Sequence, residues 1–166
     1  MSVSLADFSV PLFVRALTNL SNMLDKGAAY AAARKFDPSV LADLRLYPDM
    51  FPLKRQVQIA CDTVKGAAAR LGGVDIPKHE DTETTIDELK ARIAKTIAFV
   101  KSVDPAKIAG AENTPITLKF PNSTLQFNGK SYLSDFVLPN LYFHVTTTYA
   151  LLRHNGVEVG KGDFLA

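Results

Sequence analysis

The chain has 166 residues, 47% hydrophobic and 22% charged, enough for one sizeable core, and residues 1–166 read as a single domain. Nineteen Lys and Arg against seventeen Asp and Glu leave a formal charge of +2, which excludes the basic excess of a nucleic-acid-binding surface. A lone cysteine, Cys61, excludes an internal disulfide, and the longest uncharged stretch, Phe136 to Leu152, is too interrupted by Pro139, Asn140, His144 and three threonines to span a membrane.

The first twenty residues carry Asp7 and Arg15 inside an alternating apolar pattern, which predicts no signal peptide and a cytoplasmic location. From Leu5 to Leu24 apolar residues recur at three- and four-residue steps, predicting a first long helix, with Pro11 either in its first turn or at a kink and Gly27 as a stop or break. An Ala-rich piece follows, and Asp37-Pro38 predicts an N-cap before one or two turns over Ser39 to Leu44. A second long helix is expected from Phe51 or Pro52 to Gly72-Gly73, with Leu53, Val57, Ala60, Cys61, Val64, Ala68 and Leu71 on its inner side.

After a polar connection, Thr85 and Glu88 have capping-box spacing, and Ile86 to Val103 reads as a third helix closed by Pro105. The period changes to two between Pro115 and Phe127, predicting a short hairpin. Asn128-Gly129 then opens a fourth long helix that buries Leu133, Val137, Leu141, Val145, Leu152 and either Tyr149 or Thr148, and stops at Gly156. The remaining tail reads as too short for another element. The expected architecture is an all-α, up-down-up-down four-helix bundle with a small β-hairpin between the third and fourth helices.

The chain has no nucleophile elbow, phosphate loop, paired-cysteine motif or dinucleotide fingerprint. On the fourth helix Asn140, His144 and Thr148 fall at steps of four, so they form a polar ridge beside a buried stripe. Such a ridge must find partners inside the bundle, meet a wetted cavity, or bind a ligand. Tyr142, Phe143 and Tyr149 read as ordinary core or as walls of a small-molecule cavity, and Cys61 as a buried thiol of low reactivity. His79 lies in a polar stretch and is expected in solvent; His154 lies near a helix C-terminus, where it favours the dipole.

The run from His144 to Val157, with a Leu-Arg pair at Leu152-Arg153 and a closing glycine at Gly156, resembles the last-helix signature of the DinB/YfiT-like family of metal-dependent proteins. The segments Leu138-Pro139-Asn140-Leu141-Tyr142-Phe143-His144 and Leu151 to Gly160 are still more similar to a subfamily of uncharacterised bacterial proteins with a domain of unknown function. The resemblance implies a DinB/YfiT-like bundle and a metal site of three histidines, one on the second helix and two spaced by four on the last. His144 matches the final ligand. Asn140 stands four residues earlier where a second is expected, and Gln58, before Ile59-Ala60, is the match on the second helix. The resemblance further implies that Arg153 fixes the last helix, and Asp62, one turn past Gln58, is either a solvated acid or a spare carboxylate.

With two of three imidazoles replaced by carboxamides, no cofactor is expected and no metal is expected to bind tightly, His144 being a candidate weak ligand. Gln58, Asn140 and His144 are instead expected to converge as a ligand-binding pocket for an unknown small molecule. The residues leave open whether the chain is an enzyme, and no catalytic residue is assigned. The alternatives are a Zn- or Ni-dependent hydrolase or thiol transferase, which the resemblance implies, and a structural homodimer. A homodimer is the expected assembly, with no nucleic-acid or membrane partner.

Overall fold

The computed structural model describes residues 3–166. The first helix, α1, spans Leu5–Arg34 and passes through both expected interruptions. Pro11 leaves the Asp7 carbonyl without its usual N–H partner, but the buried stripe from Phe13 to Ala31 holds the helix together. Gly27 is a place of close approach: a Cβ there would lie 3.2 Å from Leu152 and 3.4 Å from Leu41. The helix ends instead at Lys35, which takes the left-handed conformation with φ of 59°.

Helix α2, Ser39–Ala42, is held by Asp37, whose carboxylate accepts from the Ser39 N–H at 2.9 Å. Helix α3, Leu53–Gly72, buries every inner residue that the period marked and closes on Gly73 with φ of 63°. Helix α4, Ile86–Ser102, starts with the expected capping box: Thr85 accepts from the Glu88 N–H at 3.2 Å, and Glu88 accepts from the Thr85 N–H at 3.0 Å. A short α5, Pro105–Ala109, follows where the third helix was expected simply to close.

The hairpin pairs β1, Pro115–Phe120, with β2, Ser123–Asn128, antiparallel from Pro115↔Asn128 to Phe120↔Ser123. The last long helix is not uniform. It opens with α6, Gly129–Ser131, loosens into a π-helical segment over Tyr132–Val137, and becomes the regular α7 only from Leu138 to His154. Pro139 has no N–H to offer the preceding turn, so the wider winding lies where the α ladder is already broken. Thr148 rather than Tyr149 completes the buried stripe. The tail forms one more element, α8, Lys161–Leu165, against expectation. It is tied to α1 by Asn19, which donates to the Phe164 and Ala166 carbonyls at 3.0 and 2.9 Å, and by a Lys26–Asp163 ion pair of 2.7 Å.

Among the described residues the fold is helical with one small hairpin, and four long helices surround the core in the order α1, α4, α3, α7. Their directions differ from the up-down-up-down expectation. Gln56 meets His144 and Arg70 meets Tyr132, so α3 and α7 are antiparallel, whereas Asp62 meets Arg92 and Gly72 lies against Val103, so α3 and α4 are parallel. The reason is the connection over residues 74–85, which reaches about 40 Å when extended. That exceeds the roughly 30 Å of α3 and carries the chain back along it. Asp81 and Glu83 accordingly end beside Arg55 and Gln58, at the N-terminal end of α3.

Candidate functional site

The inner stripe of α3 places Gln56 between Leu53 and Ala60, facing α7. His144 is 7% exposed, and its Nδ1 lies 2.7 Å from Gln56 Oε1. Gln56 Nε2 donates to the Phe51 carbonyl at 3.0 Å, which orients the amide so that Oε1 must accept. Nδ1 therefore carries the imidazole proton and Nε2 keeps its lone pair. Burial, reinforced by the positive charge of Arg55, pulls the His144 pKa down to about 4, so the ring is neutral near pH 7.

The other two residues of the expected trio go elsewhere. Gln58 is buried but makes no hydrogen bond with His144 or Asn140. It donates to Glu83 at 2.9 Å and accepts from Arg55 at 3.3 Å, joining the connection over residues 74–85 to α3. Asn140 Nδ2 donates to Thr63 Oγ1 at 3.1 Å. The partner of His144 is thus Gln56, a residue outside the expected trio, although it lies three residues after Leu53 and four before Ala60, on the face assigned to the core.

Asp62 is partly solvated, its side chain 38% exposed, but it is not a spare carboxylate. It pairs with Lys65 at 2.7 Å and with the buried Arg92 at 2.9 Å. Arg92 also takes Asp81 at 2.9 Å and Glu83 at 3.0 Å, and Arg55 pairs with Asp81. Three cations and three acids thereby pin the connection across α3 and α4. Cys61 is fully buried and its thiol is pushed up to about 12, so it is unreactive. His79 is half-buried rather than in solvent, and burial lowers its pKa. Phe143 is neither core nor cavity wall, being 57% exposed and edge-on to the His144 ring. Tyr142 packs half-buried against Phe164, and Tyr149 is half-buried too. His154 is exposed in the last turn of α7, and Arg153 is exposed with no ion pair among the described residues.

Asn140 opens onto a cleft of about 320 Å³ between α3, the π-helical segment and β1. Arg55, Asp62 and Thr63 line one end, Arg70 and Tyr132 the other, with Lys119 and Phe120 from the hairpin. Neither Gln58 nor His144 reaches its wall. Among the described residues no group of three or more His, Cys, Asp or Glu side chains is placed to hold a metal ion, and no helix is long and apolar enough to cross a membrane. The donor set around His144 does not fit a tight transition-metal centre. Its neighbour is an amide already committed to two hydrogen bonds, and an amide oxygen is a poor ligand for such ions.

No curated protein matches this chain. A crystal structure of a DinB family member protein from Shewanella denitrificans is similar to it, with 44% sequence identity, a TM-score of 0.88, and coverage of 98% of this chain and 92% of that one. The family model described as a domain of unknown function, DUF1993, matches residues 5–165. The chain therefore belongs to the DUF1993 family and has the DinB-like fold.

Proposed function

We propose that this DinB-like protein is a small-molecule binding module with a degenerate metal site. The observation that carries the reading is the pairing of chemistries on α3 and α7: amide hydrogen bonds tie up Gln56 and Asn140, while an open cleft runs beside Asn140. A cleft of about 320 Å³ has the size of a small-ligand pocket. The test is isolation of untagged protein from its native host, followed by extraction and mass spectrometry for a stoichiometric organic compound. Such a compound, lost when Asn140→Leu and Thr63→Val close the polar end of the cleft, supports the reading; the same yield of compound from that variant overturns it.

Metal-dependent hydrolysis or thiol transfer is the second reading, and the lone pair on His144 Nε2 is what favours it. That nitrogen has no hydrogen-bond partner among the described residues, and Gln56 fixes the tautomer as second-shell groups do for ligating histidines. A stoichiometric zinc or nickel ion would decide for it. As to assembly, the exposed Leu46, Tyr47 and Phe51, all in the loop before α3, support pairing of two copies. Light scattering at micromolar concentration tests it, with a mass of one chain as the contrary result.

A further inference from the structure

We infer that the cleft between α3 and the hairpin takes a small monoanionic aryl carboxylate, with the carboxylate at Arg70 and Lys119 and the ring against Phe120 and Phe136. The inference rests on the small-molecule reading above and adds the chemistry of the ligand.

Charge supplies the first argument. Arg70 and Lys119 line the cleft and neither has a carboxylate partner among the described residues, whereas Arg55 and Arg92 are both paired with acids. Arg70 is held in place. Its Nη1 donates to the Tyr132 hydroxyl at 3.2 Å, its guanidinium lies 6.0 Å from the Tyr132 ring centre, and Gly66 leaves the room it folds into, since a Cβ there would sit 2.5 Å from Nη1. The Tyr132 hydroxyl stays protonated because burial raises its pKa. A guanidinium fixed through one nitrogen still offers its other N–H groups to the two oxygens of a planar carboxylate.

The aromatic wall supplies the second argument. Tyr132 is only 2% exposed and stacks on Phe136 at 5.9 Å with 14° between their planes, so it backs a wall whose open faces are Phe136 and the exposed Phe120, 6.4 Å away. Tyr132 and Phe136 both lie in the π-helical segment, and such segments are frequent at functional sites. A flat apolar body fits this wall better than a sugar or a flexible chain. Asp62 also lines the cleft, but its charge is met by Lys65 and Arg92, so the positive charge left without an acid partner among the described residues is that of Arg70 and Lys119.

The experiment is a titration of the full chain with 2-naphthoate, followed by amide NMR, with 2-naphthamide as uncharged isostere and inorganic phosphate as an anion without a ring. Naphthoate is expected to shift Thr117, Lys119 and Tyr132, and to bind at least tenfold more tightly than the amide or phosphate. Arg70→Gln with Lys119→Gln is expected to weaken it at least tenfold. Lys119→Gln alone, at an exposed position, and Gly66→Ala, which displaces Arg70, keep the test open if the double variant unfolds; each should weaken binding severalfold. Equal binding of amide and naphthoate, or tighter binding of phosphate, overturns the carboxylate inference. Failure of naphthoate while a compound still co-purifies overturns the inference and leaves the binding-module reading standing. Failure of all probes, with no co-purified compound, removes both.

Discussion

His144 and Gln56 face each other across α3 and α7 with 2.7 Å between ring Nδ1 and amide Oε1, and the Phe51 carbonyl fixes the amide from behind. This chain of three groups makes the histidine a neutral hydrogen-bond donor inside the bundle. Removing the amide should leave a buried N–H unsatisfied, so Gln56→Leu is expected to cost about 1–3 kcal/mol in urea unfolding. The double change Gln56→Leu with His144→Leu should cost less than the sum of the two single changes, as coupled neighbours do.

The same pair sets a pH dependence. His144 has a pKa near 4 in the fold against an ordinary 6.5, so between these values the unfolded chain binds the extra proton and the folded one does not. Stability is then full above pH 6.5 and falls as the pH drops toward 4, by up to roughly 3 kcal/mol. Urea midpoints between pH 4.5 and 7.5 should show a slope in the natural chain that is smaller in His144→Gln. An equal slope in both would mean that His144 titrates normally.

Arg92 stands at the centre of the ion-pair cluster with Asp62, Asp81 and Glu83, its side chain only 2% exposed. Arg92→Met should destabilise by about 3 kcal/mol, because it leaves acids short of a partner rather than replacing a whole pair. Since two of those acids lie on the connection over residues 74–85, hydrogen exchange should rise there first.

Gly129 packs where a Cβ would collide with the Ala111 carbonyl oxygen, while nothing lies within 4 Å of the same atom at Gly162. Gly129→Ala should therefore lose about 1–3 kcal/mol in thermal or urea unfolding. Gly162→Ala should be neutral or slightly stabilising.

Most of the helical core was legible, because burial along α1, α3 and α7 follows the 3.6-residue period and Leu53, Val57, Ala60 and Val64 need no tertiary information to be placed. The direction of α4 was not. It depends on where residues 74–85 travel, and that is decided by Arg92 and Arg55 drawing Asp81 and Glu83 back along α3, pairings that no local pattern displays. Helix α8 lies outside any periodic pattern because the tertiary contact of Asn19 with the Phe164 carbonyl holds it, whereas α5 does carry a local signal, the Asp104-Pro105 cap in which Asp104 accepts from the Ala106 N–H, of the same kind as Asp37-Pro38. The choice of Gln58 over Gln56 came from a resemblance in a three-residue run. Two residues on a helix turn a side chain by about 200°, which carries it to another neighbour altogether.

The central claim, a ligand cleft in place of a metal centre, is tested most directly by native mass spectrometry of untagged protein from its host. The account predicts a chain carrying a stoichiometric organic adduct that Arg70→Gln releases, with no zinc or nickel at one ion per chain. One such ion per chain, lost in His144→Ala and retained in Arg70→Gln, would contradict it.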